Sequence, residues 1–412
     1  MSGLKSLIAL ALGLVLGGLA MRFGAPGLIA FVKLLTLPGE LWLSLLKLTL
    51  IPLIFSLVAS STCATMARLG QGRMVRTSLV LIFAFLFLSA TYGVVATQLW
   101  FGTGLVPFGI APITNALAVP AAPGMAELIK GLIPTNIVAA ASEGALAPVC
   151  LFALMFGVFA ARTAKDRSGG MAQGLEHFAA TMLAMVDWIL IAAPLAVFCL
   201  GISLSMTLGV QAASFVGQYL TAMVAIVGSM MVLAYAGAFY ASRQAGAPFR
   251  FRQFVVAALP AQALALGTQS SLATLPLMIK ATTTDLALEA APSRASLSLA
   301  VAIFRFTGPA FYVSGALIIA HLQGLALSPA LLVLAIPMGV LANLSSASIP
   351  GLATIYAAKT IVMSALGLPL DLLPLLVALD TIPDMLMTLC NVTADMALAA
   401  MVANREQEPS QG

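Results

Sequence analysis

Charged residues are scarce in this sequence. Asp, Glu, Lys and Arg together make up 8% of the 412 residues, whereas 61% are hydrophobic and the mean hydropathy is +1.08. Because a soluble domain is typically about 25% charged, this composition excludes a water-soluble globular protein. We therefore predict a protein whose surroundings are mostly membrane hydrocarbon.

Cysteine pairs and basic runs are also lacking. The four cysteines lie far apart with no CxxC or CxxH spacing, so we predict no metal site and no redox centre. The net charge is +5, but the basic residues are scattered, which argues against a nucleic-acid partner. With no phosphate-binding loop and no nucleophile triad, we expect neither a cofactor nor a catalytic residue, and the protein is not predicted to be an enzyme.

Long apolar runs occupy nearly the whole chain, and about 20 apolar residues suffice to cross a bilayer. The predicted spans are 4–21, 39–67, 77–101, 145–162, 178–207, 212–241, 295–321 and 371–403. Two further apolar segments, 254–279 and 330–365, are interrupted midway by Ser, Pro and Gly, and we predict that each is a re-entrant helical hairpin. The predicted fold is an all-α membrane protein with about eight transmembrane helices and two re-entrant hairpins.

The loop charges indicate an orientation. If both hairpins leave the membrane on the side where they enter, most loop Lys and Arg residues fall on one face, which is then cytoplasmic. The protein is predicted to lie in a bacterial inner membrane, with both termini on the cytoplasmic side. Lys5 and the apolar stretch 6–20 mimic a signal peptide, but we interpret them as a retained first helix.

The final span carries three acids, which is unusual at membrane depth. Six residues fall within an arc of about 100° on a helix: Asp380, Asp384, Met387, Thr388, Asn391 and Asp395. Each carboxylate facing lipid costs about 2.5 to 3.5 kcal/mol, so the stripe must face protein, water or a ligand. Helix-packing hydrogen bonds are one explanation. Ligand and cation binding is the more economical one, because Arg305 is the one obvious cationic partner.

Helix breaks at mid-membrane are also suited to bind a ligand or a cation. A helix that begins there offers free N–H groups and partial positive charge to a carboxylate, and freed carbonyls attract a cation. Ser270 and Ser271 lie at the first break, and residues 345–351 at the second.

Four stretches carry a family resemblance. They are GELWLSLLKLTLIPLIFSLV near residue 40, LIPTNIVAAASEGALAPVCLFALMFGVFAA near 132, TQSSLATLPLM at 268–278 and DTIPDMLMTLCNVTAD at 380–395. On these residues the sequence resembles the dicarboxylate/amino acid:cation symporter family, the glutamate and aspartate transporters. The resemblance implies a homotrimer and an elevator-type transporter, in which a transport domain moves against a scaffold.

The resemblance also implies a division of the chain. Segment 1–76 would hold scaffold helices 1 and 2, and 77–162 helix 3 of the transport domain with helix 4 of the scaffold. Segment 163–245 would hold helix 5 of the scaffold and helix 6 of the transport domain. The transport core, with both hairpins and helices 7 and 8, would occupy 246–404, and 405–412 would be a cytoplasmic tail.

Residue roles follow by motif. The implied substrate-binding residues are Ser270, Ser271, Arg305, Ile349, Pro350, Gly351, Asp384, Met387, Thr388 and Asn391. Ser270 and Ser271 would meet the substrate carboxylate, and Asp384 would hold an amino group. Asn391 would also serve a coupling cation together with Asp395. The tip at 349–351 would act as the outer gate.

Two departures from the family pattern affect substrate and coupling. Acidic-substrate members place Arg where this chain has Met387, and the family's Asn-Met-Asp-Gly-Thr signature is here Arg305 to Pro309, with Thr307 in place of the acid. A sodium ion about 4 Å from Arg305 would meet roughly 4 kcal/mol of repulsion, so sodium coupling is expected to be altered. Arg305 has three interpretations: a built-in substitute for a bound cation, a ligand for a substrate carboxylate, or a structural or snorkelling residue.

The predicted function is secondary active transport of amino acids or related small carboxylates, coupled to Na⁺ or H⁺. The alternatives are a carrier of C4-dicarboxylates or acidic amino acids that uses Arg305, and a receptor or leak channel that transports nothing. Lys359 in the second hairpin is interpreted as a snorkelling residue. The predicted partners are the substrate, lipids and two further copies of the chain.

Overall fold

The structure is a computed structural model, and all of its regular structure is helical. It describes residues 2–23, 26–69, 73–102, 133–143, 146–163, 170–209, 211–244, 246–346 and 352–407. Within these ranges there are seventeen α-helices, one π-helical turn and no strand. The all-α prediction is confirmed.

The first nine helices precede the two hairpins. They are α1 (Ser2–Phe23), α2 (Pro26–Leu34), α3 (Leu37–Leu69), α4 (Arg73–Gly102), α5 (Ile137–Ser142), α6 (Leu146–Thr163), α7 (Gly170–Leu190), α8 (Ala193–Leu208) and α9 (Gln211–Ala241).

The remaining eight helices form the two hairpins and the segments between and after them. They are α10 (Phe251–Thr268), α11 (Ser271–Lys280), α12 (Ala290–Ile303), α13 (Gly308–Leu322), α14 (Pro329–Ser345), α15 (Leu352–Ala365), α16 (Leu373–Leu379) and α17 (Thr381–Gln407), with a π-helical turn at Ala281–Asp285 after α11.

Several of these helices are long and apolar enough to span a membrane. Within the described part of the chain there are six such stretches: Ile29–Ala67, Thr77–Gly102, Leu146–Thr163, Gln211–Ala241, Ala290–Leu322 and Thr381–Asn404. A seventh is possible if α7 and α8 are counted as one span, although they meet at a bend of 62°. The membrane class is therefore supported, and the count of eight spans stays a prediction.

Three predicted continuous spans are broken, and in each case a proline lies in the first turn of the second helix. Residues 178–207 are divided between α7 and α8, 295–321 between α12 and α13, and 371–403 between α16 and α17 after an irregular start. Pro194 and Pro309 are the second residues of α8 and α13, and Pro383 is the third residue of α17. Proline lacks the N–H that a helix interior needs but fits the first turn, so it favours a new start over continuation.

Close backbone contact joins α1 to α8. A Cβ at Gly17 would lie 2.7 Å from the carbonyl oxygen of Ile202, and Gly13 similarly faces the carbonyl of Phe198. Small residues at this spacing allow two helices to approach closely in a membrane protein. The four cysteines of the chain are all buried.

The first hairpin has the predicted break. α10 and α11 contact each other, and Gln269 between them adopts a left-handed backbone conformation with φ of 51°. Ser270 then caps α11, because its hydroxyl accepts a hydrogen bond from the N–H of Ala273 at 3.3 Å. Gln262 of α10 donates to the hydroxyl of Thr393 at 2.8 Å, which ties this hairpin to α17.

The second hairpin is formed by α14 and α15, which also contact each other. The first limb begins at Ser328, whose hydroxyl accepts from the N–H of Leu331 at 3.4 Å. The predicted gate residues Ile349, Pro350 and Gly351 lie outside the described residues. That both hairpins re-enter the membrane stays a prediction.

Candidate functional site

A cavity of about 110 Å³ lies where the first hairpin, the break after α12 and the middle of α17 meet. Its lining residues are Gln269, Ser270, Ser271, Leu272, Ser298, Val301, Ala302, Arg305, Thr388 and Asn391. Three separate stretches of the sequence thus contribute polar side chains to one space. Small-solute sites have this form, with a few convergent polar groups on an apolar wall.

Half of the predicted substrate-binding residues line this cavity: Ser270, Ser271, Arg305, Thr388 and Asn391. Asp384 and Met387 lie nearby on α17 but do not contribute to the wall. Met387 is fully buried within the main apolar cluster, so this position presents no group to a solute here.

The N-terminus of α11 opens onto the cavity, because Ser270, Ser271 and Leu272 all line it. The first N–H groups of a helix lack partners within the helix, and they carry partial positive charge. This end of α11 is therefore suited to bind a carboxylate.

Arg305 lies in the irregular segment between α12 and α13 and is half-buried. Its guanidinium donates a hydrogen bond to the main-chain carbonyl of Ser346 at 3.1 Å, at the C-terminal end of α14. It forms no ion pair within 4.0 Å with any carboxylate of the described residues. The guanidinium of Arg305 thus caps the C-terminal end of α14, and the same side chain forms part of the wall of the cavity.

Asn391 joins the cavity to the break after α12. Its side-chain oxygen accepts two hydrogen bonds from Thr307, one from the main-chain N–H at 2.9 Å and one from the hydroxyl at 2.8 Å. Two donors fill the two lone pairs of this oxygen. The amide NH₂ is the part of Asn391 that these bonds leave for the cavity.

Asp395 is buried one turn deeper on α17, with 1% of its surface exposed. Its Oδ1 accepts no hydrogen bond from any residue that the structure describes. A buried carboxylate oxygen without a donor is costly, and a bound proton or cation would remove that cost. Asp395 therefore fits the cation-binding role that its motif implies, which stays a prediction.

Asp380 is separate from this site. Its two carboxylate oxygens are bound by the ammonium of Lys359 at 2.5 Å and the hydroxyl of Tyr219 at 2.7 Å. The prediction that Lys359 snorkels is wrong, because the side chain is fully buried. Arg305 is therefore not the one cation available to the acidic stripe. Sequence spacing could not reveal the pair, since Lys359 and Asp380 lie on different helices.

Gln269, Ser298 and Asn343 were missed by sequence reasoning. Gln269 and Ser298 line the cavity, and Asn343 on α14 lies against Gly308 with an oxygen that no described donor reaches. Single amides and hydroxyls are common in membrane helices, so nothing in the sequence distinguished these three.

Comparison with known proteins places this chain in a family. A family model described as "Sodium:dicarboxylate symporter family" matches residues 3–405. The chain is 26% identical to a neutral amino acid transporter B(0) of Oryctolagus cuniculus, with 93% of this chain and 76% of the relative covered. It is 22% identical to a proton/glutamate-aspartate symporter of Escherichia coli, with 98% and 92% covered. It is 26% identical to a C4-dicarboxylate transport protein of Brucella anthropi, with 98% and 88% covered. The chain thus belongs to the sodium:dicarboxylate symporter family and is an integral membrane transporter of the amino acid and dicarboxylate type.

Proposed function

We propose that this protein binds an amino acid or related small carboxylate in the cavity between the first hairpin and α17, and carries it across the membrane by cation- or proton-coupled symport. The observation that carries the proposal is the convergence of Ser270, Ser271, Arg305, Thr388 and Asn391 on one space. The substrates named for the three relatives share a carboxylate, the group that the N-terminus of α11 suits.

Substrate recognition would divide between two ends of the solute. The α-carboxylate would lie against Ser270 and Ser271, and the amide NH₂ of Asn391 would donate to it or to the side chain. The hydroxyl of Thr388 would accept a hydrogen bond from the substrate, because its own proton is donated to the carbonyl of Asp384. Asp384, one turn before Thr388, would hold the amino group once the second hairpin closes over the cavity. In the structure, the Thr388 hydroxyl donates to the main-chain carbonyl of Asp384 at 2.9 Å, and this bond fixes the orientation of the Thr388 side chain.

A second candidate is a carrier of acidic amino acids or C4-dicarboxylates, which Arg305 favours. Its side chain lines the cavity and forms no ion pair within 4.0 Å with any carboxylate of the described residues. Five N–H donors allow a guanidinium to bond Ser346 and a second carboxylate of the substrate at once.

Coupling would differ from ordinary sodium symport. Freed carbonyls at the C-terminal end of a half-helix are sites where transporters hold a cation, and here Arg305 donates to such a carbonyl on α14. Asp395 would be the remaining place for a coupling proton or cation. The elevator movement, the homotrimer, an inner-membrane location and cytoplasmic termini belong to the same proposal.

The test is solute counterflow in proteoliposomes, with neutral amino acids, acidic amino acids and C4-dicarboxylates supplied in turn. Sodium and pH gradients are imposed separately. We expect saturable, trans-stimulated uptake of one substrate class. A receptor would show no uptake, and a leak channel would show no trans-stimulation.

Asp384→Asn is the matched variant, because it keeps the shape of the side chain and removes its charge. We expect amino acid uptake to fall at least tenfold, since the amino group loses its counter-charge. Parental rates of amino acid uptake in this variant would exclude the role of Asp384.

A further inference from the structure

Lys359 and Asp380 form a buried ion pair away from the candidate cavity. Lys359 projects from α15, the second limb of the second hairpin, and Asp380 ends α16 just before α17. Tyr219 of α9 completes the group, because its hydroxyl donates to Asp380 at 2.7 Å and accepts from Lys359 at 2.5 Å. All three side chains have 0% exposure.

The groups around the ammonium are of the kinds that also attract a small cation. The Lys359 nitrogen lies 4.4 Å from the ring centre of Phe311 and 5.3 Å from that of Tyr219, and ring faces attract cations. The carboxylate of Asp380 and the phenol oxygen of Tyr219 add oxygen atoms to these two aromatic rings. Each is a ligand for a monovalent cation as well as for an ammonium. We call the space between Asp380, Tyr219 and Phe311 the cage.

Gly315 of α13 makes room for the lysine. A Cβ at this position would lie 2.9 Å from the Lys359 nitrogen and 3.0 Å from its Cε. The ammonium thus fills its space closely, and it contacts residues from α9, α13, α15 and the junction of α16 and α17. It joins the second limb of the hairpin to three other parts of the fold.

The charges in this place must balance within the protein. A buried carboxylate alone is costly in a membrane interior, and the same holds for a buried ammonium alone. Together they form a neutral unit in which the ammonium, the carboxylate and the Tyr219 hydroxyl bond one another. No cation from solution is needed to neutralise Asp380 while Lys359 remains.

We propose that Lys359 is a resident cation, which permanently occupies a monovalent-cation site formed by Asp380, Tyr219 and Phe311. It fixes α15 against α9 and the junction of α16 and α17, so this part of the second hairpin is positioned without a coupling ion. Lys359 is a positioning residue and contacts neither the cavity nor its lining. The stability test below is independent of the proposed transport function, and only the transport measurement that follows it rests on that function.

The decisive experiment compares Lys359→Ala with Lys359→Met in the full-length purified protein. The alanine variant leaves the cage open with Asp380 in place, whereas methionine fills the cage with apolar atoms. Thermal unfolding is measured in ammonium chloride, sodium chloride and N-methylglucamine chloride at equal ionic strength. Ammonium is the closest probe because it reproduces the lysine head group.

We expect the unfolding midpoint of Lys359→Ala to rise by about 3 to 5 °C in ammonium chloride, at a concentration about 100 times its Kd. The parent and Lys359→Met should shift by less than about 1 °C. Equal midpoints of Lys359→Ala in ammonium and N-methylglucamine would overturn the proposal.

A second variant serves if Lys359→Ala does not fold. Lys359→Met/Asp380→Asn removes both charges and should unfold at a higher temperature than Lys359→Met, because no buried charge is left alone. A double variant no more stable than the single one would contradict the neutralising role. In counterflow, Lys359→Ala should show a dependence on ammonium or sodium in addition to any that the parent has. If counterflow by Lys359→Ala shows no such ion dependence but its unfolding midpoint still rises in ammonium, only the predicted effect on transport is contradicted.

Discussion

Thr307 and Asn391 are joined by two hydrogen bonds that end on one amide oxygen. The bond from the main-chain N–H survives any substitution of Thr307, whereas the bond from the hydroxyl does not. Thr307→Val should therefore destabilise the protein by about 1 kcal/mol, seen as a lower unfolding midpoint. It should also weaken substrate binding, because Asn391 would be less firmly oriented at the cavity wall.

Thr91→Val is the matched control for that prediction. The Thr91 hydroxyl is exposed and, among the residues that the structure describes, donates only to the carbonyl of Phe87 in its own helix. Its loss should therefore change stability by less than about 0.5 kcal/mol. Similar effects of the two substitutions would mean that the Thr307 hydroxyl contributes little to the site.

Arg305→Asn tests the altered coupling and the substrate class together. Removing the guanidinium frees the Ser346 carbonyl at the end of α14, so we expect transport to gain a sodium response. If the substrate is a dicarboxylate, its KM should also rise about 10-fold or more, because a charge-assisted hydrogen bond contributes about 1.5 to 3 kcal/mol. Uptake as a function of sodium and of substrate measures both.

Arg305→Lys is the control for charge, since it keeps the cation and loses the planar donor fork. It should show no sodium response. An Arg305→Asn variant with parental KM values and no sodium response would assign Arg305 to a structural role.

The two lysine ion pairs should differ widely in their contribution to stability. Lys47 contacts Asp371 at 2.8 Å, but the two side chains are 43% and 69% exposed. Lys47→Met should cost less than about 1 kcal/mol, whereas Lys359→Met should cost about 3 to 5 kcal/mol because it leaves a buried carboxylate alone. Thermal unfolding at equal salt measures the difference, and comparable losses would contradict it.

Close packing of α4 against α13 yields a fourth prediction. A Cβ at Gly93 would lie 2.8 Å from the Cα of Ala310 and 2.9 Å from its carbonyl oxygen, and this backbone has no flexible end that can move aside. Gly93→Ala should therefore destabilise the protein by about 1 to 3 kcal/mol.

Gly228→Ala provides the comparison, since a Cβ there meets no atom within 4 Å. Alanine is the better helix former, so this substitution should be neutral or stabilising by up to about 1 kcal/mol. Unfolding midpoints of the two variants, measured side by side, decide the point.

The sequence predicted the helical class, the family and the polar break at Ser270, because each depends on local patterns in the chain. Apolar runs of membrane length and a Ser-Ser break are visible in one dimension. The helices within the predicted spans 178–207 and 295–321 are not continuous, since hydropathy does not register a proline that starts a new helix within an apolar run. Ala290–Leu322 as a whole is still long and apolar enough to span a membrane.

The candidate site was harder to predict where it depends on tertiary contacts. The acidic stripe correctly placed Thr388 and Asn391 together on α17, but helical periodicity alone could not separate Asp380 from Asp384. The separation depends on Lys359 and Tyr219, which reach Asp380 from other helices. The order of residues along the chain contains no sign of this contact.

The burial of every native thiol has a practical consequence for following the transport cycle. Cys63, Cys150, Cys199 and Cys390 are all buried, so water-soluble maleimides should react with them slowly. A cysteine introduced at the exposed cavity residue Ser298 would then dominate the labelling signal. Labelling from one side of the membrane at a time would report which side the cavity faces, in a protein otherwise unchanged.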